Sequence, residues 1–232
     1  MTDVGSRWLV IVHNPELARW ERADLARAGL LAGAPQVACA DGGLVHALRW
    51  GLRPTLWVGD MDSLARSAGL RLLRHPALSE THVERLPRDK DETDLQAVLA
   101  RIGPVPGQHL AVLGATGGRF DQSLANLLLL FPLAEKGVQV RAVSPGQEVR
   151  FLVAGYPLSL AGPPGTVFSV IPLLPTVRGY RVRGARWEAG PVDLVFGDTL
   201  AVSNELVAGP VHLELAEGVA LVATNGILEP PG

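Results

Sequence analysis

The chain has 232 residues, of which 47% are hydrophobic and 19% charged, and its formal net charge is -2. This composition is typical of a globular protein with one large domain or two modest ones, and it excludes a disordered chain. No run of Lys or Arg is long enough to predict a nucleic-acid surface. Cys39 is the only cysteine, so no intrachain disulfide can form and a reducing compartment is expected.

The sequence predicts no membrane partner. The first apolar run is too short for a signal peptide, and acidic Asp3 stands where a basic region would be required. The most apolar segment, residues 124–133, contains a proline and is shorter than the ~20 residues that cross a bilayer. We interpret that segment as a buried core helix and expect a cytoplasmic protein.

Strands and helices alternate over the first ~145 residues, as a parallel α/β domain requires. The predicted strands are residues 7–12, 36–40, 55–60, 81–86, 109–114 and 138–144. The predicted helices are residues 15–33, 41–51, 91–103 and 120–137. This order predicts a parallel-sheet, Rossmann-like α/β domain over residues 1–146, with helices on both faces of the sheet.

The pattern changes after residue 146. From there to the C-terminus, short β-like runs are interrupted by Gly and Pro, and no amphipathic helix is recognisable. This texture predicts a smaller all-β sandwich domain over residues 147–232.

Polar residues and glycines follow four predicted strands of the first domain. In open α/β sheets, ligands bind beyond the carboxyl ends of the strands, so these residues should converge at one edge. The residues in question are Asp41, Gly42 and Gly43; Asp60, Asp62 and Ser63; Lys90, Asp91, Thr93 and Asp94; and Gly117, Gly118, Arg119, Asp121 and Gln122.

These residue types suit Mg²⁺-dependent transfer from a nucleoside triphosphate such as ATP. Mg²⁺ prefers oxygen ligands, which Asp60 and Asp62 would supply together with Asp94 or Asp91. Glycines let backbone N–H groups approach phosphates, and helix N-termini attract anions. Lys90 and Arg119 are candidate cationic donors.

Structural explanations compete with this interpretation. Asp41, Asp91, Asp94 and Asp121 lie near predicted helix starts, where aspartate is a common cap. Gly117 and Gly118 match neither a P-loop nor the dinucleotide-binding motif. The six histidines lack metal-ligand spacing, and neither Ser63 nor Cys39 lies in a nucleophile motif.

The order and content of these motifs resemble the thiamine pyrophosphokinase family. The resemblance rests on ADGG at residues 40–43, GDMDS at 59–63, KDETD at 90–94 and GATGGRFDQSLAN at 114–126. GARW at residues 184–187 and SNE at 203–205 extend it into the second domain.

The resemblance implies a homodimeric enzyme that transfers a pyrophosphoryl group from ATP to the hydroxyl of thiamine and releases AMP. It implies that Asp60, Asp62 and Asp94 handle Mg²⁺ and the triphosphate, with Arg119 as a further catalytic residue. The cleft would be lined by Asp41, Gly42, Gly43, Ser63, Lys90, Asp91, Thr93, Gly117, Gly118, Asp121 and Gln122. It further implies that Trp187 stacks on thiamine beside Ser203 and Asn204, in a pocket shared by two subunits.

The sequence departs from the family pattern at several positions. Met61 stands where Phe is frequent, Ala185 and Arg186 replace a common Leu and Lys, and Gln122 replaces a common His. None of these changes removes an acidic residue, so they bear on the shape of the thiamine pocket. Two other functions stay open at this point: a pyrophosphokinase of the same fold acting on a hydroxymethylpterin, and a non-catalytic sensor of nucleotide or thiamine.

Overall fold

The computed structural model describes residues 7–61 and 75–228. The chain divides into two compact units, residues 1–26 with 30–144, and residues 27–29 with 145–232. In the described residues, no helix is both long and apolar enough to cross a membrane.

The first unit is built on a parallel sheet. Its strands are β1 (Arg7–Ile11), β2 (Gln36–Ala40), β3 (Leu56–Gly59), β4 (His82–Arg85), β5 (His109–Leu113) and β6 (Gln139–Ser144). They pair in the order β6-β5-β1-β2-β3-β4, and every pair is parallel. β1 and β2 are buried over most of their length, as expected for central strands covered on both faces.

Within the described residues, four α-helices connect these strands. They are α1 (Arg22–Arg27), α2 (Gly43–Arg49), α3 (Asp94–Ile102) and α4 (Phe120–Glu135), with short 3₁₀ helices at Pro15–Arg19 and Pro76–Leu78. α3 shows how the sequence sets the bounds of a helix. The Thr93 hydroxyl caps its start by accepting from the Gln96 N–H at 3.2 Å, and left-handed Gly103 ends it.

The prediction of a single helix over residues 15–33 is wrong. The chain instead forms the 3₁₀ helix and α1, because Trp20 between them is extended, with φ -90° and ψ 139°. Tertiary hydrogen bonds hold this break: the Arg49 guanidinium and the Trp50 indole N–H both donate to the Trp20 carbonyl. Local periodicity could not register contacts from residues 30 positions away.

The segment predicted as a buried core helix lies within α4, but most of that helix is not buried in the single chain. Leu130 and Ala134 are buried. By contrast, Phe120, Leu124 and Leu128 have exposed fractions of 79%, 45% and 52%. These three residues follow each other at intervals of four and so share one face. We call them the α4 apolar face.

A buried histidine lies in α2. The His46 ring stacks between His13 and Trp50, with ring centroids 5.8 and 5.7 Å away. Its side chain is 6% exposed, and its Nε2 has no hydrogen-bond partner among the described residues. Burial, together with the nearby charges of His13 and Arg49, lowers the pKa of His46 to about 4.

The strands of the second unit pair antiparallel in two groups. Its strands are β7 (Gln147–Val153), β8 (Leu158–Leu160), β9 (Val167–Pro172), β10 (Thr176–Arg183), β11 (Ala189–Val195), β12 (Asn204–Glu205), β13 (Val211–Glu214) and β14 (Val219–Thr224). The strand orders are β12-β9-β14-β7 and β11-β10-β13-β8. Side chains from both groups, among them Phe168 of β9 and Val182 of β10, form one apolar core. The predicted fold class is confirmed at this level: a mixed α/β protein with a mostly parallel sheet and a separate antiparallel sheet.

Candidate active site

Asp41 and Asp60 are neighbours at the carboxyl ends of β2 and β3. The Asp41 N–H donates to the Val58 carbonyl at 2.8 Å, and the Asp41 carboxylate accepts from the Met61 N–H at 3.1 Å. A Cβ on Gly59 would lie 2.7 Å from the Asp41 Cα, closer than van der Waals contact allows. Gly59 is therefore required for β3 to end directly against Asp41.

Asp94 joins the two aspartates from the start of α3. Lys90 Nζ lies 2.5 Å from Asp94 Oδ1. Burial raises the pKa of Asp94, the Lys90 ammonium opposes this effect, and the Asp41 and Asp60 carboxylates raise the pKa further. The net direction is upward, so the Lys90 ammonium compensates only part of the effect that burial and the two neighbouring carboxylates have on ionised Asp94.

The donor chemistry of this cluster fits Mg²⁺. Carboxylate oxygens at a strand edge are ligands that Mg²⁺ accepts, and mutual repulsion among them is relieved by a divalent cation. Asp62 and Ser63, predicted to take part, lie outside the described residues. Within residues 7–61 and 75–228, no three His, Cys, Asp or Glu side chains come close enough together to hold a metal ion.

Strained backbone occurs at two predicted site residues, Asp41 and Ser203, and next to a third, at Met61. Asp41, Met61 and Ser203 have φ values of 42°, 62° and 63°, and Ala34 also has a positive φ. Non-glycine residues rarely adopt this left-handed conformation, and where they do, the surrounding structure must enforce it. Met61 directly follows Asp60, so the backbone next to the Asp60 carboxylate is constrained.

Asn14, which sequence reasoning missed, organises the loop after β5. Its side-chain amide is 2% exposed and donates to the carbonyls of Gly114 at 3.3 Å and Thr116 at 2.7 Å. Its Oδ1 accepts from the Glu16 N–H at 2.9 Å. Asn14 follows β1, so it links the carboxyl ends of two adjacent strands. The contacts span 100 and 102 positions of sequence, and only the strand-end position of Asn14 pointed to them.

Three further side chains fix the same loop. The Ser144 hydroxyl donates to the Thr116 carbonyl at 2.7 Å, and Asn126 donates to the Ala115 carbonyl at 2.9 Å. Ser123 in α4 accepts from the Gly117 N–H at 3.1 Å. Side chains thus satisfy successive carbonyls of the loop, which makes it a rigid connection into α4.

The glycines predicted to contact phosphate differ in their surroundings. A Cβ on Gly118 would meet nothing within 4 Å, whereas one on Gly117 would lie 2.9 Å from a Glu16 carboxylate oxygen. Gly43, at the start of α2, is packed so tightly that a Cβ would lie 2.0 Å from the Ile11 carbonyl. Glycine is therefore required at position 43 by packing against β1. At Gly118, by contrast, the space next to the backbone is open.

The remaining predicted residues of the first unit lie at or near the starts of helices. Arg119 and Asp121 form an exposed ion pair at the start of α4, which holds the pKa of Asp121 below its usual value. Asp91 and Gln122 are exposed, and Gly42 is buried. Thr93 acts as the cap of α3 described above.

The predicted residues of the second unit lie together. The Asn204 side chain accepts from the Trp187 N–H at 3.2 Å and donates to the Trp187 carbonyl at 2.7 Å. Ser203, next in sequence, donates its N–H to the Ser169 hydroxyl at 3.0 Å. The Trp187 side chain is 52% exposed, so the indole is anchored at its backbone and open at its ring.

Comparison with known proteins identifies the family. Residues 28–142 match the model of the thiamin pyrophosphokinase catalytic domain, a range that contains the strand ends bearing Asp41, Asp60 and Asp94. This part of the chain belongs to the thiamine pyrophosphokinase family. The resemblance inferred from the sequence motifs is confirmed.

Relatives of this family match most of the chain. A thiamine pyrophosphokinase of Bacillus subtilis is 26% identical over 183 residues, covering 78% of this chain and 83% of the relative. Thiamine pyrophosphokinase 1 of Arabidopsis thaliana is 25% identical over 237 residues, covering 88% and 80%.

Solved thiamine pyrophosphokinase structures share the fold. The crystal structure of the Bacillus subtilis protein superimposes with a TM-score of 0.80 at 22% identity, covering 95% of this chain and 99% of that one. The yeast thiamin pyrophosphokinase gives a TM-score of 0.70 at 14% identity, covering 97% and 87%.

Proposed function

We propose that this chain is a thiamine diphosphokinase, which transfers the pyrophosphoryl group of ATP to the hydroxyl of thiamine and forms thiamine diphosphate and AMP. The observation that supports it best is the cluster of Asp41, Asp60 and Asp94 with Lys90 at the strand ends of a matching catalytic domain. Acidic side chains alone would repel a triphosphate, so the cluster has a use only when a cation lies between them.

In this proposal Asp60 and Asp94, together with Asp62, hold Mg²⁺, which when bound supplies charge neutralisation to the triphosphate. Lys90 forms an ion pair with Asp94, so its ammonium lies beside the proposed metal site. From there it donates hydrogen bonds to phosphate oxygens. The phosphates are bordered by Asp41 and by the loop that ends at Gly118. The start of α4 borders them as well, through Arg119, Asp121 and Gln122. Phosphoryl transition states are usually loose, so positioning and charge matter more here than a strong base.

We assign thiamine recognition to the second unit, as an all-β sandwich over residues 147–232 that also takes part in dimerisation. Trp187 presents a half-exposed indole whose backbone is fixed by Asn204. An indole face attracts both a flat pyrimidine and a cationic thiazolium, by stacking and cation–π contact. Ser203 is adjacent to this platform.

We also propose that the enzyme is a homodimer. The α4 apolar face carries three large hydrophobic side chains that are exposed in the single chain. Exposed contiguous apolar surface of this kind typically marks a contact with another protein. A second copy of the chain is the partner we assign to it.

Product analysis tests the reaction. The protein is incubated with thiamine, ATP and Mg²⁺, and the nucleotide and thiamine products are separated. Thiamine diphosphate and AMP in equal amounts are the expected result. ADP with thiamine monophosphate would overturn the pyrophosphoryl transfer, and turnover of a hydroxymethylpterin with none of thiamine would overturn the substrate. Binding of both substrates without product would indicate a sensor.

A further inference from the structure

One face of the Trp187 indole is already covered by a cation of this chain. The Arg186 guanidinium carbon lies 4.7 Å from the ring centroid, within the distance at which a cation is attracted to the ring quadrupole. Arg186 directly precedes Trp187 in sequence, so the contact is local. A ligand that stacks on Trp187 without displacing Arg186 must therefore use the opposite face.

Glu205 holds Arg186 in this position. The Arg186 guanidinium donates to the Glu205 carboxylate at 2.7 Å, and the Arg186 N–H donates to the Glu205 carbonyl at 3.1 Å. The Glu205 N–H in turn donates to the same Asn204 Oδ1 that accepts from Trp187. Arg186, Trp187, Asn204 and Glu205 thus form one connected group, which we call the indole clamp.

The charge of Arg186 matters for a cationic ligand. A cation stacked on the free face of the indole and the guanidinium on the other face lie within about 10 Å of each other, the Debye length at 0.1 M salt. Their repulsion is therefore only partly screened by the solvent. The Glu205 carboxylate, in direct contact with the guanidinium, cancels most of that field.

We propose that Arg186 and Glu205 are positioning and specificity-determining residues for the cationic substrate. Arg186 orders the indole by stacking on one face, and Glu205 neutralises Arg186 so that the other face can accept a second cation. This inference rests on the proposed function, in which Trp187 receives the thiazolium-bearing thiamine. It assigns a reason to the pairing of these two side chains beside an exposed tryptophan.

A stability role alone would have different consequences. Arg186 is 56% exposed and Glu205 29% exposed, and exposed ion pairs contribute little to folding. The clamp is therefore expected to change substrate affinity without a measurable change in thermal stability. A KM effect that is confined to thiamine separates the two roles.

The test compares Glu205→Gln, Arg186→Ala and the double variant in steady-state kinetics at low and high salt. We expect Glu205→Gln to raise the KM for thiamine about 10-fold at low salt, because it leaves the guanidinium charge uncompensated, and less at high salt. The kcat and the KM for ATP should change less than about 2-fold, since neither the metal site nor the phosphates are touched. In the double variant, the Gln substitution should add almost nothing to Arg186→Ala, because its target charge is gone.

The matched control is the ion pair of Arg178 and Glu217 in the same unit, 3.4 Å apart and also exposed. Arg178→Ala and Glu217→Gln should leave the thiamine KM unchanged. A conservative Arg186→Lys variant keeps the charge but loses the planar stack, so its KM should fall between those of the wild type and Arg186→Ala. Thermal unfolding of every variant is measured alongside.

The outcomes separate this inference from the proposed function. A wild type that makes thiamine diphosphate, with a Glu205→Gln variant whose thiamine KM and salt dependence equal those of the wild type, overturns the clamp and leaves the function intact. Single-variant effects that multiply in the double variant also overturn it. A wild type that makes no thiamine diphosphate overturns both.

Discussion

Asn14 shows how a single buried amide can determine the geometry of a catalytic loop. Its amide donates to two loop carbonyls and its oxygen accepts a third backbone hydrogen bond. All three partners lose their bond if the side chain is removed, and buried polar groups without partners are costly. Asn14 acts through the loop that it holds, so its contribution is positioning.

We predict that Asn14→Ala lowers the free energy of unfolding by about 2–3 kcal/mol. We further predict that it lowers kcat by about 100-fold at temperatures where the variant is fully folded, because small displacements of a positioned loop are expensive for catalysis. Urea unfolding and steady-state kinetics measure the two effects. The control is Gln108→Ala, which removes another buried amide, 3% exposed, just before β5 begins. It should cost stability without reducing kcat; equal losses of kcat in both variants would contradict the role of Asn14.

Asp94 is the residue where function and stability are expected to oppose each other. Its pKa is raised in the folded state, so its folded form prefers the proton more than the unfolded form does. The contribution of Asp94 to the free energy of unfolding is therefore present at low pH and is lost as the pH rises through its folded pKa. At neutral pH, ionised Asp94 destabilises the folded state.

We predict that Asp94→Asn lowers turnover by at least about 100-fold, through loss of a charge that acts on the metal and phosphates. The same change should shift the free energy of unfolding at pH 7 by less than about 1 kcal/mol, since the lost Lys90 pair is offset by relief of repulsion. Turnover with saturating Mg²⁺ and chemical denaturation check both. Asp89→Asn, at an exposed position in the same loop, is the control. A variant as active as the wild type would remove Asp94 from the proposed site.

At the scale of elements, the strands were the most predictable part. β2 was predicted with the observed bounds, and the other five parallel strands differ from prediction by at most one residue at either end. The central strands β1 and β2 are apolar runs bounded by polar turns, which mark their ends in the sequence. The helices were less predictable. The break at Trp20 depends on Arg49 and Trp50, and the exposure of α4 depends on what surrounds the helix, and neither is encoded in local periodicity.

The α4 apolar face gives a prediction about assembly. We expect Leu124→Glu combined with Leu128→Glu to convert a dimer into a folded monomer, because two carboxylates would be buried in the contact. Light scattering after size-exclusion chromatography gives the mass, and circular dichroism checks the fold. Ala125→Glu, exposed on the same helix, should leave the dimer intact. A wild type that is monomeric at all concentrations would contradict the assignment of this face.

The site itself was predictable in part. Strand-end logic predicted Asp41, Asp60 and Asp94 at one edge, and in the structure the Asp41 and Asp60 carboxylates raise the pKa of Asp94. It could not reveal that Gly43 serves packing against Ile11 or that Glu16 lies against Gly117. Those facts depend on distances between segments far apart in sequence, which composition and spacing do not contain.

At the scale of the whole molecule, His46 links folding to pH. Its folded pKa of about 4 is below the ordinary value of 6.5, so the folded state keeps this ring neutral. The stability it contributes is fully present above pH 6.5 and is lost as pH falls from 6.5 towards 4. Among the residues that the structure describes, none accepts a hydrogen bond from the His46 Nε2 and so stabilises a proton there.

We predict that the chain loses up to about 3 kcal/mol of unfolding free energy between pH 6.5 and pH 4 through this group. His46→Leu should flatten that part of the pH profile, whereas exposed His212→Gln should not. Urea unfolding at a series of pH values measures the slope. A His46→Leu profile parallel to that of the wild type would show that other groups cause the acid loss.

The rate at which the single thiol of the chain is labelled measures how often the sheet around it opens. Cys39 lies in β2, between β1 and β3, is fully buried, and has a pKa raised by burial. A thiol reagent can reach it only when the strands around it separate, so the rate of labelling counts those openings. Because no second cysteine competes for the reagent, one mass increment reports on one event. Substrates that hold the carboxyl ends of β2 and β3 together should lower the rate of Cys39 labelling.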